Sequence, residues 1–201
     1  MIVNVTNAHQ YNEDEVKSVI QKTIRRGDET GALFFALELA HEDESSFWWL
    51  RNRLKLIAYE DIGLANPDVV LRVSKAIDDM TVLYESNTQD WETTLAYVIL
   101  LLCRSQKSCL ADHFKVYVKS CWEDQSGKFN IEIPDYALDY TTSKGNQLGR
   151  LKYSKKGVDH YIKAGEKLVN ETIDIEDIYK KKAHKVWRET VSPDTEMETI
   201  P

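Results

Sequence analysis

Up to Trp122 the apolar residues recur at helical spacing, and polar punctuation cuts them into six segments. Val16, Ile20 and Ile24 fall at i, i+4 and i+8, one stripe on a helix that starts near Glu13. Gly27 interrupts it, and Asp28 is placed to cap a second helix marked by Leu33, Phe34, Leu37 and Ala40. The polar turn "HEDESS" follows, with Ser46 as the expected cap of a third helix reaching Ile62, whose apolar face is Phe47, Leu50, Leu54, Ile57 and Ala58. Gly63 is the stop signal, Asn66 a cap and Pro67 a suitable first residue for a fourth helix, which turns Val70, Val73, Ala76 and Ile77 inward. A fifth helix is expected from about Asp90 to Arg104 and a sixth from about Ser108 to Trp122. The intervening loops are short, as in an antiparallel helical array.

After Trp122 the pattern changes. "DQSGK" reads as a turn, and "FNIEI" alternates strictly until Pro134, which fits either a short strand or an extended segment. Residues 135–150 are polar with scattered apolar positions. A helix is expected from about Lys155 to Glu171, marked by Val158, Ile162 and Leu168, and "IEDIYKKKAHKVWRE" can form another. The fold class is therefore all-α, with a more irregular C-terminal part. The expected divisions are a helical domain over residues 1–122, a basic extension over 123–190 packed on it, and a mobile tail, 191–201.

Length and charge narrow this further. The 201 residues, 42% hydrophobic, suffice for one domain with a real core or two small ones. A net charge of −7 favours solubility and argues against a uniformly basic nucleic-acid coat. No stretch approaches the roughly 18 apolar residues of a membrane span, and the densest run, Leu95 to Cys103, reads as a buried helix segment. The first ten residues lack the basic flank and apolar core of a signal peptide. Three cysteines without CxxC spacing fit reduced thiols, and the setting expected is cytoplasmic.

The usual chemical motifs are missing. There is no GxxxxGK[ST] phosphate loop, no HExxH, no GxSxG and no Cys/His zinc spacing, so no cofactor, metal or catalytic residue is assigned. Cys109 and His113 share a helix face, but two further metal ligands are not evident, and the pair reads as structural. Glu60 and Asp61 lie in the last turn of the third helix, where the negative end of the helix dipole disfavours them. Adjacent helical residues point about 100° apart, so the two are expected to diverge rather than to act as a catalytic pair. Neither has a cation three or four residues earlier, so each needs a partner from another element. The basic stretch is "KGNQLGRLKYSKKGVDHYIKAGEK", residues 144–167, with seven Lys or Arg against two Asp or Glu, a net +5 that leaves the remainder near −12. Tyr153 and His160 are interleaved with it, which suits backbone contact and stacking on single strands. The same stretch also reads as a solvated face that meets the acidic remainder of the chain or of a neighbouring subunit.

Two stretches resemble a known family. "AYEDIGLANP", Ala58 to Pro67, agrees at eight of ten positions with the A-S-E-D-I-G-L-A-D-P signature of the RarA/MgsA family, the bacterial counterpart of the Werner-helicase-interacting AAA+ ATPases. "TIRRGDETGALFF" is similar to that family's S-I-R-G-S-D-P-D-A-A-L-Y-W, with Ile24, Arg25, Asp28, Ala32 and Leu33 in common, and Lys107 and Ser108 match a Lys-Ser pair further on. Order and spacing fit over about residues 13–120, and the likeness is weaker beyond, where Gly149 and Gly157 correspond to turns of a glycine-rich stretch.

The family carries an ATPase module ahead of this region, and the chain begins almost directly at the C-terminal part. The resemblance therefore implies a clamp-loader-collar-like helical bundle that self-associates, as a tetramer in the family, in a replication or repair context, without ATP hydrolysis here. Lys144, Arg150, Lys152, Lys155 and Lys156 are the expected DNA contacts, with Arg25 and Arg26 secondary. Glu60, Asp61, Gly63, Asn66 and Pro67 form the structural signature. The alternative is an adaptor or inhibitor, of mobile-element origin, that uses the collar fold to enter a host clamp-loader or RarA-like AAA+ assembly.

Overall fold

A computed structural model describes residues 11–172 and 176–191, and among these every regular element is helical. The chain divides into two compact units, Met1–Phe129 and Asn130–Pro201.

The first unit is a bundle of six helices. Helix α1 (Glu13–Arg26) is capped by Asn12, whose side chain accepts from the amides of Asp14 and Glu15, and it buries Val16, Ile20 and Ile24. Gly27 ends it at φ 73°, a left-handed conformation that a side chain would oppose, and the chain turns back at once into α2 (Glu29–Ala40). The buried face of α2 is Ala32, Ala36, Leu39 and Ala40, not the Leu33–Phe34–Leu37 face expected from the sequence. Small residues let α2 lie close against α1, so the larger side chains sit at its flanks, with Phe34 exposed. Helix α3 (Glu44–Ile57) starts earlier than expected. Asp43 is its cap, accepting from the amide of Ser46 at 2.7 Å, so Ser46 lies inside the first turn. Its inward residues Phe47, Leu50, Leu54 and Ile57 match the sequence pattern.

The α-helical winding of α3 stops at Ile57. Ala58–Ile62 form a π-helical turn and Gly63–Ala65 a 3₁₀ turn, with Gly63 at φ 45° between them. Asn66 then caps α4 (Pro67–Glu85) through the Val69 amide at 3.3 Å, with Pro67 at the first position. Helices α5 (Trp91–Arg104) and α6 (Leu110–Glu123) complete the unit. The core runs continuously through α1 to α5 and the π turn, with Phe47 stacked on Tyr84 at 3.5 Å between ring centroids. Burying a side chain such as Ile20 or Leu50 contributes about 1.5–3 kcal/mol, so this core carries the bundle.

The second unit is smaller and less apolar. Residues 129–133 take no strand pairing, so "FNIEI" is an extended segment with Ile131 and Ile133 exposed. Two short helices follow, α7 (Ser143–Gln147) and α8 (Lys155–His160), then a π turn at Tyr161–Gly165. The single helix expected over 155–171 is thus cut short, and Leu168 is exposed. Helix α9 (Lys180–Glu189) ends the described chain; the tail expected at 191–201 lies outside the described residues apart from Val191.

The starts of α7 and α8 repeat one construction twelve residues apart. Thr142 and Ser154 each cap the helix by accepting from a glycine amide, Gly145 at 2.9 Å and Gly157 at 3.0 Å. A Cβ on Gly145 would stand 1.8 Å from the Asp139 carbonyl oxygen, and one on Gly157 2.1 Å from that of Leu151. Both helices press directly on backbone, which only glycine allows. Among the described residues the large buried apolar side chains of this unit are Leu138 and Val158. Polar bracing supplements them. Arg150 donates to the carbonyls of Asp135 (3.2 Å) and Leu138 (2.6 Å) and to the Asp135 carboxylate (2.6 Å), which also pairs with His160 at 3.1 Å.

No helix is long and apolar enough to cross a membrane, among the described residues.

Candidate functional site

The signature turn is an ion-pair hub. Asp61 is 1% exposed, a carboxylate at the end of its own helix, and its stabilisation comes from α1. Arg25 approaches its Oδ1 with Nε at 2.9 Å and Nη2 at 2.8 Å, and Gln21 donates to Oδ2 at 3.1 Å. The Asp61 hydrogen bond, then its charge, raises the Arg25 pKa further against the opposing effect of burial. Glu60 pairs with Arg53 of α3 at 3.2 Å and accepts from the same Gln21 amide at 3.1 Å.

The two carboxylates therefore converge on Gln21, against the divergence expected for neighbours on an α-helix. The cause is the π turn, whose wider winding brings successive side chains closer in direction. Two arginines thus pair with two acids. The hub also reaches α6: the Ser108 amide donates to the Asp61 carbonyl at 2.9 Å, and the Cys109 thiol lies 3.8 Å from Asp61 Oδ1. Lys107 closes the end of α5 by donating to the carbonyls of Cys103 (2.8 Å) and Ser105 (3.1 Å). The Lys107–Ser108 pair thus fixes where α5 ends and α6 begins.

All three cysteines are free thiols. Cys103 is buried, and burial pushes its pKa up from 9.0 to about 11. No group of His, Cys, Asp and Glu suited to holding a metal occurs among the described residues.

Helix α6 leaves the hub and buries none of its own residues. Leu110, Phe114, Tyr117, Val118 and Trp122 recur at i, i+4, i+7, i+8 and i+12, one apolar stripe, and they are exposed by 58, 66, 62, 41 and 81%. Asp112, Lys119 and Glu123 lie away from the stripe and Lys115 at its edge, with Lys115–Asp112 and Lys119–Glu123 pairs along the helix. The period was legible in the sequence. That the stripe faces outward was not, because periodicity says the same of a helix turned to the core.

The cations singled out from the sequence separate into two groups. Lys144, Lys152, Lys155 and Lys156 are exposed in the C-terminal unit. Arg150 is committed to Asp135, with its side chain only 12% exposed, and that contact holds the Asp135 carboxyl below the usual carboxylate range. Arg25 is committed to Asp61, while Arg26 is exposed and donates to the Lys22 carbonyl of its own helix at 2.9 Å. The sequence reading passed over a second basic run, Lys180 to Arg188, which holds five Lys or Arg and no acid. Its signal was there to be counted.

Comparison with known proteins agrees with the signature. Residues 27–196 match the family model described as MgsA AAA+ ATPase C terminal, so the likeness extends well beyond residue 120. The chain is 30% identical over 136 residues to Replication-associated recombination protein A of Bacillus subtilis (strain 168). That alignment covers 68% of this chain and 30% of the relative, so the chain spans less than a third of that protein's length.

Proposed function

This chain belongs to the family of MgsA AAA+ ATPase C-terminal regions, and from that membership we propose that it is a non-enzymatic association module acting in DNA replication, recombination or repair. It joins copies of itself through the outer stripe of α6 and meets DNA through the exposed lysines of its C-terminal unit. The observation that carries this reading is the stripe. Five large apolar side chains in one row form a contiguous patch, not the scattered exposure of an ordinary surface. Covering what is still exposed of them returns a part of the about 1.5–3 kcal/mol that full burial of each would give, which offsets some of the cost of association. The charge-balanced hub fixes where that helix begins, which is a structural use for the signature residues. A tetramer is the assembly the resemblance favours, and the setting is cytoplasmic.

For DNA, Lys144, Lys152, Lys155 and Lys156 supply the phosphate contacts, with Arg26 as a secondary cation. Light scattering on the purified chain at tens of micromolar tests association: a multiple of 23.3 kDa supports it, and 23.3 kDa contradicts it. Fluorescence anisotropy with forked and single-stranded DNA at two salt concentrations tests the second part. Binding that weakens steeply with salt supports it, and no binding at low salt removes it.

A further inference from the structure

The C-terminal unit contains an aromatic cavity of about 270 Å³, lined by Tyr140, Lys152, Tyr153, Val158, Tyr161 and Trp187. We propose that this cavity takes one unpaired base of single-stranded nucleic acid, a reading that rests on the DNA contact proposed above and names its chemistry.

Size is the first argument. The volume lies below the roughly 300–1,000 Å³ of pockets for drug-sized ligands, so it suits a single planar ring rather than a whole cofactor. The rings are the second. Tyr140 and Tyr161 stand 5.6 Å apart at 50°, and Tyr161 and Trp187 5.6 Å apart at 75°. Neither pair is stacked face to face, so a flat guest can take a ring face, and Tyr153 and Trp187 are open to solvent by 57 and 38%. Charge is the third. Apart from Tyr140 and Thr190 the walls come from the two basic runs, 144–167 and 180–188, and Lys152 holds its ammonium 5.4 Å over the Tyr153 ring. Among the described residues no carboxylate lines the cavity, so an alkylammonium guest, which aromatic cages otherwise favour, would meet a lysine and no counter-charge there. A phosphate-linked base meets both an aromatic face and a cation. Duplex DNA keeps its bases stacked and paired, so only a single strand can offer one.

The test is anisotropy of the full chain with three probes: a short oligo-deoxythymidine, an abasic strand of the same length, and a duplex. Tyr153→Ala, and Trp187→Phe as the variant that retains packing, should weaken oligo-deoxythymidine binding, Tyr153→Ala by about tenfold. Duplex affinity should be unchanged in both. The abasic strand should bind the wild type no better than oligo-deoxythymidine binds the Tyr153→Ala variant. Lys152→Gln should reduce the salt slope by about one on every probe. Wild-type binding of duplex and single strand, with Tyr153→Ala indistinguishable on oligo-deoxythymidine, overturns the cavity assignment and leaves the DNA contact standing. So does equal affinity for the abasic strand. Failure of the wild type to bind any probe overturns both.

Discussion

Replacing Asp61 by alanine removes the acceptor at the centre of the hub. Its contacts with Arg25 Nε and Nη2, with Gln21 Nε2 and with the Cys109 thiol go with it. Hydrogen bonds to charged groups are worth about 1.5–3 kcal/mol each, but a network does not add, and breaking a buried ion pair costs about 3–5 kcal/mol in all. Here only one partner is deeply buried. Arg25 is 42% exposed and recovers hydration when freed, so the cost falls at the low end, about 3 kcal/mol. For a chain of this size that lowers Tm by about 6–12 °C. Far-UV circular dichroism in a thermal melt, with urea unfolding alongside, measures it.

Arg25→Ala should cost at least as much, because it strands a carboxylate that is 1% exposed. The double variant should cost less than the two singles together, by about 1–3 kcal/mol, since the second change removes a group already orphaned. If Asp61→Ala unfolds within about 0.5 kcal/mol of the wild type, the size expected of an ordinary surface change, the hub is not what holds the turn. Additive singles would refute the pairing itself.

Gly157→Ala should destabilise the C-terminal unit by more than the ordinary helix gain from alanine, because its Cβ would fall 2.1 Å from the Leu151 carbonyl oxygen. Loss of hydrogen-exchange protection around residues 150–160, with the bundle unaffected, is the readout. Cys103 should resist alkylation in the native protein at pH 8 while Cys109 and Cys121 react, as mass spectrometry after mild labelling would show. Because its thiol pKa is raised on folding, its contribution to stability is complete below pH 9 and is lost as pH climbs from about 9 to 11, which urea unfolding across that window detects. Asp135 is held below its ordinary 3.8 by Arg150 first and His160 second, so its contribution is present above that value and disappears as acid protonates it. The C-terminal unit should therefore loosen below about pH 4, seen by Trp187 fluorescence.

The sequence was most legible where one chain segment decides the outcome. Asn66 and Pro67 announce α4 because cap and first-turn geometry are local, and the stripe of α1 is buried as its spacing requires. It failed where neighbours decide. Nothing in "GALFFALELA" says that the alanine face rather than the Phe34 face is buried; that depends on the helices packed around it, α1, α3 and α5. The π turn at Ala58–Ile62 is invisible in residue propensities, yet it redirects Glu60 and Asp61 onto Gln21, a residue unremarkable in sequence. The demand for outside partners was legible, because two acids at a helix C-terminus need one. Which arginines answered it was not. The C-terminal cavity is equally non-local, since Tyr140, Tyr153, Tyr161 and Trp187 are spread over nearly fifty residues.

The central claim is that α6 joins copies of this chain through its outer stripe. Sedimentation equilibrium of the wild type against a Phe114→Asp, Trp122→Asp double variant tests it most directly, because both side chains are exposed and their replacement leaves the bundle core untouched. The account predicts a wild-type mass that is a multiple of 23.3 kDa and a variant that falls to 23.3 kDa with unchanged helicity. A wild type that sediments as a monomer, or a variant that keeps the full assembly, would contradict it.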